Sequence, residues 1–486
     1  MKKLNSILLV IAILGTLILS SCQITGKDHV CQDCGRCTVA DCTEDGHSKK
    51  CNCDSYVPGS GELPVYGELT DHPGFHISIF GDPAQQTVEA YQQLKELGCN
   101  WVYLDPWNGT NINTPGLIKA LEVCEQVGLN ALIMINNAAD ATPETATSFL
   151  DVATIDYTQY PAFKGVYAGD EPDIEMAKWH AADLARWEDS IYKDYIYYVN
   201  TCIRKSDNLS GDEWIQQYWD NFLSTSEDNY LVFDSYPLYA KTGDKILPYL
   251  RDKWINHLDA YSYLAKEKDC KYYTYIQTYT EKDGSARDMV SVRDARFQVA
   301  MSLAYGSQGF ICFTYINMSQ FGPSMVTGNG AKLDKYYYVQ QAYQEIRNFE
   351  DVYFAFDWQG VMPVLGPNRG TDRGYGEQPE EHITDLVHTL DSIDRIDSVK
   401  TDYDLFIGAF EDKDGNDGFL ITSYTDPYYL KNNNIEIDFN SASRALIYYN
   451  GYLLTNDEAG SCYNLDDGVL RFNLEAGDYI FVIPVS

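Results

Sequence analysis

Gly169-Asp170-Glu171-Pro172 closes a short strand-like run that begins at Phe163. Two adjacent acids at a strand end can give, take or hold a proton. The proline stops the strand and can open a helix at its first position. A helix cap would explain Asp170. It would not explain Glu171, which is therefore the candidate for catalysis or ligand binding. Other strand-like runs end in polar residues too. The candidates past them are Asp105 and Trp107, Asn136 and Asn137, Asn200, Asp234 and Tyr236, Gln277 and Tyr279 with Glu281 beyond, and Tyr315 and Asn317. Acids, amides and aromatics at one rim are the chemistry of a sugar site. Two carboxyl groups act across the glycosidic bond, and aromatic faces pack on sugar rings.

The elements that must position these residues alternate. Strand-like runs are His76–Phe80, Trp101–Leu104, Ala131–Ile135, Gly165–Ala168, Tyr195–Val199, Tyr230–Phe233, Tyr272–Ile276 and Phe310–Phe313. Helix signals lie between the early ones: Asp82-Pro83 to Gly98, Thr114-Pro115 to Gly128, and a start at Thr142-Pro143. Such units predict an α/β fold, a (β/α)8 TIM barrel over residues 63–350 whose strand ends share one face. A doubly wound sheet is the alternative. No Gly-x-Gly-x-x-Gly loop follows the first strand, which argues against a dinucleotide, and no catalytic cofactor is expected.

After about residue 350 short alternating runs such as Asp404–Phe410, Gly418–Ser423, Ile435–Phe439, Ala445–Tyr449, Val469–Asn473 and Tyr479–Pro484 follow one another without helices. They predict an antiparallel β-sandwich domain over 351–486. Asp414-Gly415 is a hairpin signal. The polar stretch from Gly366 to Glu380 reads as a mobile loop.

The net charge is −35, from 71 acidic and 36 basic residues. That field repels nucleic acid and anionic lipid and suits a neutral or cationic substrate. A hydrophobic fraction of 45% excludes a disordered acidic chain. Most of the 39 tyrosines belong to the core, whatever a few do for a ligand.

The first residues carry an address. Met1-Lys2-Lys3 precedes an apolar run from Ile7 to Leu19 and then Ser20-Ser21-Cys22, the layout of a secretory signal. Leu19-Ser20-Ser21-Cys22 resembles the lipobox of bacterial lipoproteins. The resemblance implies cleavage before Cys22, a lipid on its sulfur and an extracytoplasmic, membrane-anchored protein. Residues 23–62 are then a cysteine-rich spacer and linker. Cys31, Cys34, Cys37, Cys42, Cys51 and Cys53 lie close together there. Their spacing suits structural zinc, whereas export and an even count suit disulfides; both readings stay open. In either case the segment is a separable spacer.

Gly165-Val166-Tyr167-Ala168-Gly169-Asp170-Glu171-Pro172 resembles the fourth-strand motif of the β-galactosidase-like, clan A barrel glycosidases. Arg296-Phe297-Gln298 and Ala304-Tyr305-Gly306-Ser307-Gln308-Gly309-Phe310 resemble the helix and eighth strand of that group, and the segment from Asp404 to Pro484 resembles its C-terminal β-sandwich. The resemblance implies a glycoside hydrolase with Glu171 as general acid/base. It also exposes two departures. Gln277 stands where the retaining members place a nucleophilic Glu, and Asp170 stands where they have Asn. Asp234, Glu281 and Asp105 are the remaining second carboxylates. Asp234 is preferred: two strands from Glu171 around the rim, it could leave a gap that admits a water, which favours inversion; a substrate hydroxyl contact by Asp234, or Glu281 folding back as nucleophile, stays open. The alternative is a non-catalytic carbohydrate-binding lipoprotein on a degenerate barrel, using Trp107, Tyr236, Tyr279 and Tyr315 as stacking faces. Asn137, Asp170, Asn200 and Gln277 complete the expected substrate contacts.

Overall fold

The structure, a computed structural model, describes residues 63–485 except 67–71, 73, 107–108, 136, 138–139, 204–209, 226–229, 242–246, 252, 319–320, 369–382 and 384–385. Cys22, the cysteines from Cys31 to Cys53, Trp107, Asn136 and most of the stretch from Gly366 to Glu380 lie outside the described residues. None of the described helices is long and apolar enough to cross a membrane.

Six strands open the fold: β1 (His76–Ile79), β2 (Trp101–Leu104), β3 (Asn130–Met134), β4 (Phe163–Asp170), β5 (Ile196–Asn200) and β6 (Tyr230–Phe233). A hairpin of β7 (Leu238–Lys241) and β8 (Leu247–Leu250) follows, then β9 (Lys271–Gln277) and β10 (Gly309–Phe313). The parallel strands form two four-stranded sheets, β2-β3-β4-β5 and β6-β9-β10-β1. The sheets meet at both edges. Thr201 bridges Phe233 where β5 approaches β6. At the other seam the Asn100 N–H donates to the Ile77 carbonyl at 3.1 Å. The result is a (β/α)8-like ring. It corrects the expectation of a continuously closed barrel, because the ladder breaks at two seams. The β7–β8 hairpin is an insertion between β6 and β9 that the strand-like runs above did not include.

Side chains fill the ring. Tyr103, Leu132, Tyr167, Tyr198, Val232, Tyr273, Tyr275 and Ile311, one or two from nearly every strand, form one buried cluster. This follows from period-two alternation: one face of each strand looks inward and the other packs on the helices.

Some helix starts differ from expectation. The first helix is Val88–Leu97, capped by Thr87 rather than begun at Pro83. Asp82 is fully buried, where a carboxylate must find donors. It accepts from the Tyr91 hydroxyl at 2.8 Å and the Asp105 N–H at 2.9 Å, tying helix to β2. Thr114 and Gly128 cap Pro115–Val127 as expected. The start expected at Thr142-Pro143 is a turn, and the helix is Phe149–Val152 behind Ser148. Asp173, not Asp170, caps Ile174–Glu188 by accepting from the Met176 N–H. Pro172 therefore precedes the cap instead of opening the helix.

The C-terminal strands are β11 (Phe356–Val364), β12 (Ile396–Thr401), β13 (Leu405–Asp412), β14 (Asp417–Ser423), β15 (Asn432–Phe439), β16 (Arg444–Tyr449), β17 (Tyr452–Leu454), β18 (Tyr463–Asn464), β19 (Val469–Glu475) and β20 (Tyr479–Val485). They pair antiparallel in a seven-stranded and a three-stranded sheet. Leu405, Ile407 and Ile421 from one pack with Ile437, Leu470 and Leu474 from the other, which fits a β-sandwich. The larger sheet turns its other face to the ring. There the ring of Phe406 meets Tyr305 at 6.0 Å. A Cβ on Gly408 would stand 2.3 Å from the Ala304 carbonyl, so only glycine allows this approach. Arg287 locks the contact, bonding Asp294 at 2.8 Å and Asp426 at 2.7 Å, all three buried.

Candidate active site

The site begins with an irregularity in β4. Its register against β5 shifts between Tyr167 and Gly169, a bulge with one extra residue. Tyr167 faces the interior, so strict alternation would turn Asp170 outward. The bulge brings it inward, where it accepts from the Tyr167 hydroxyl at 2.7 Å and the Asn200 amide at 2.9 Å. Gly169 is required here, since a Cβ would stand 2.4 Å from Nε2 of His180.

Glu171 comes next with φ of +46°, a left-handed conformation that costs a non-glycine residue about 1–3 kcal/mol. Its N–H is fixed to the Asn200 carbonyl at 2.9 Å. The turn carries the Glu171 carboxyl against that of Asp234, just past β6. Oδ1 of Asp234 is shut off from solvent and receives no fixed N–H or O–H donor. Oδ2 accepts from the Tyr236 hydroxyl at 3.3 Å.

Burial pushes the Asp234 carboxyl well above the ordinary range. The charges of Glu171 and Asp170 and the hydrogen bond to Glu171 push the same way, and only the Tyr236 hydroxyl opposes them. Two ionised carboxylates in contact repel each other, and one proton between them turns repulsion into a hydrogen bond. The proximity of Glu171 thus favours the protonated form of Asp234.

The pair lies in the wall of a cavity of about 610 Å³. Tyr236, Tyr239 and Tyr279 line it, as do Arg251, Lys253, Asn256 and His257 from the start of the helix Lys253–Glu267 and the residues before it. Leu386 and Val387 reach it from the C-terminal part of the chain. Tyr236 meets Tyr279 edge to face at 5.0 Å.

Of the residues expected from sequence, Glu171, Asp234, Tyr236 and Tyr279 share this cavity. Asp170 and Asn200 stand behind Glu171 as its support. The others correct the expectation. Asn137 donates to the Thr147 and Ala168 carbonyls and accepts from the Thr147 N–H, so it braces backbone. Gln277 does the same with Leu238. Tyr315 is buried, donates to Gln93, and lines a separate small cavity. Asp105 is buried beside Asp82 and is not in the cavity wall. Glu281 sits in a turn, its N–H on the Ala286 carbonyl, and also stands outside the wall. Carboxylate oxygens of Glu171 and Asp234 lie within 4.8 Å of each other, closer than the water-admitting gap expected.

Tyr239, Arg251, Asn256 and His257 escaped the sequence reading. They belong to the hairpin insertion and the helix behind it, not to strand ends. The available signal was the long interval between Phe233 and Lys271, too long for one crossover helix.

Among the described residues, Glu171, Cys202 and Asp234 are a group whose ligand atoms lie within 4.8 Å of one another.

No protein-family model matches the chain, and no curated protein does. Solved structures that align with it include one titled glycoside hydrolase, at 14% identity, covering 89% of this chain and 98% of that one with a TM-score of 0.42. A GH30 endoxylanase from Clostridium papyrosolvens aligns at 11% identity over 85% of this chain and 96% of its own, TM-score 0.38. A GH99 endo-alpha-mannosidase from Bacteroides thetaiotaomicron aligns at 13% identity over 56% and 82%, TM-score 0.36. At such identities and scores the likeness carries no argument, and the fold stands on the strand order above.

Proposed function

We propose that this chain is a glycoside hydrolase, and that the Glu171–Asp234 pair cleaves the glycosidic bond of an oligo- or polysaccharide. The observation that carries the reading is the approach of these carboxyls to within 4.8 Å in a tyrosine-lined cavity at the C-terminal ends of β4 and β6. The pair holds one proton near neutral pH. Asp234, whose carboxyl is pushed up by burial and by the neighbouring acids, keeps it in the free enzyme. As the leaving oxygen departs, the pair delivers its proton to it. As the glycosidic bond breaks, the Glu171 carboxylate takes the anomeric carbon through an oxocarbenium-like transition state; a water then cleaves the glycosyl-enzyme ester and its proton returns to the pair. In this reading the acid/base role assigned to Glu171 from sequence belongs to the pair. A separation within 4.8 Å is nearer the ~5–5.5 Å of retaining pairs than the ~6.5–9.5 Å of inverting ones, which favours a retaining course. A lipid on Cys22 would tether the enzyme at the membrane surface, with the cysteine-rich segment as its spacer.

The test is a screen of plant, algal and host polysaccharides and aryl glycosides with wild type and Glu171→Gln. Turnover by wild type, lost by roughly 10²–10⁴ in Glu171→Gln, supports the reading. Binding without turnover, unaltered by that change, would make the protein a carbohydrate-binding module instead.

A further inference from the structure

The cavity has a second wall that the pair does not use. Arg251 points its guanidinium at Tyr239, donating to the hydroxyl at 3.0 Å and lying 5.0 Å from the ring centroid. It makes no ion pair with a carboxylate among the described residues. Two acids on this side have other partners. Asp259 accepts the N–H groups of Val387 and His388, and Asp212 meets the His388 ring at 3.2 Å. Lys253 and His257 line the same wall. Burial, then Arg251 and Lys253, push the His257 ring down to about 4, so it is neutral at physiological pH. Nδ1 of His257 and Oδ1 of Asn256 are shielded from solvent and have no hydrogen-bond partner. Such atoms have hydrogen-bonding capacity that a water or a ligand can complete.

A cation without a carboxylate, beside unpartnered polar atoms, asks for an anion that also offers hydroxyls. We propose that the substrate is an acidic glycan, whose anionic sugar unit docks on Arg251 with Asn256 and His257 receiving its hydroxyls. The anion is a uronate carboxylate or a sulfate ester, and both match the planar guanidinium fork. The wall is continuous with the catalytic pair: Arg251 rests on Tyr239, and Tyr239, Tyr279, Tyr236 and Asp234 line one cavity. This placement reverses the expectation of a neutral or cationic substrate drawn from net charge. Net charge acts at long range and is screened within about 8 Å at physiological salt, whereas Arg251 acts in contact.

The inference rests on the glycosidase reading for turnover but not for binding, so two readouts keep them apart. Full-length wild type and Arg251→Gln are assayed at physiological salt on uronate oligosaccharides, sulfated oligosaccharides, and their carboxyl-reduced or desulfated counterparts. Wild type is expected to prefer one charged series by about 10-fold or more in kcat/KM. Arg251→Gln should lose about 10–100-fold on that series and clearly less on the neutral counterparts. Whichever series responds identifies the anion. Equal use of charged and neutral substrates, or equal loss on both in Arg251→Gln, overturns the proposal. If wild type cleaves nothing, the glycosidase reading fails alone. Calorimetric binding of the same oligosaccharides then decides, with Arg251-dependent binding of a charged series supporting the docking site and no such binding refuting it.

Discussion

Gln277 grips Leu238 with both ends of its amide: Oε1 accepts from the Leu238 N–H at 2.8 Å, and Nε2 donates to the Leu238 carbonyl at 2.9 Å. Gln298 holds the Gln277 N–H in turn, at 2.7 Å. The strand end where barrel glycosidases resembling this chain carry a nucleophile is thus a brace. It pins β7 to β9 and, through Pro237, steadies Tyr236 over Asp234.

Changing Gln277 to Glu should therefore not add a nucleophile. It removes a buried donor and places an anion opposite the Leu238 carbonyl. Stability should fall by about 1–3 kcal/mol, with activity reduced. Urea denaturation and kcat/KM on the best substrate check both. A Gln277→Glu protein that is equally stable and more active would show the brace to be dispensable.

Asp234 sets a pH dependence of stability. Its carboxyl is raised above the ordinary value of 3.8, so the folded state binds a proton that the unfolded chain has released. Its favourable contribution is complete below the unfolded pKa and is lost as pH rises through the folded one. Asp234→Asn removes that loss. The mutant should match wild type near pH 4 and gain on it progressively toward pH 8, while being inactive. Thermal melts across that range test the sign. A mutant that loses ground as pH rises would contradict the raised carboxyl.

The left-handed backbone at Glu171 predicts an ordering of two inactive variants. Glycine accepts this conformation freely and alanine does not. Glu171→Gly should be more stable than Glu171→Ala by about 1 kcal/mol, against the usual trend at other positions. Urea midpoints measure it, and an alanine variant at least as stable as the glycine one would remove the strain.

Much of the ring was legible from sequence, because β-branched and aromatic runs bounded by Gly, Pro and Asp leave few alternatives. Tyr230–Phe233 matches β6 residue for residue. Glu171 and Asp234 were legible from the rule that strand ends carry chemistry. The same rule misplaced Asn137 and Gln277, since an amide at a strand end can brace backbone as readily as bind a sugar, and composition cannot tell which. Tyr315 failed for a related reason: its ring direction depends on what packs behind β10. The contact between Glu171 and Asp234 needed the β4 bulge and a left-handed residue, neither of which has a sequence signature here. Arg251 and His257 come from an insertion whose path is set by tertiary packing.

The most direct test of the central claim is a double-mutant cycle on the pair. The values of kcat for wild type, Glu171→Gln, Asp234→Asn and the double variant are measured on the best substrate from the screen, with circular dichroism confirming the fold of each. Residues that share one proton act as a unit, so each single change should cost about 10²–10⁴ and the double little more than either alone. A single variant that keeps wild-type turnover, or a double loss equal to the product of the two single losses, would contradict the account.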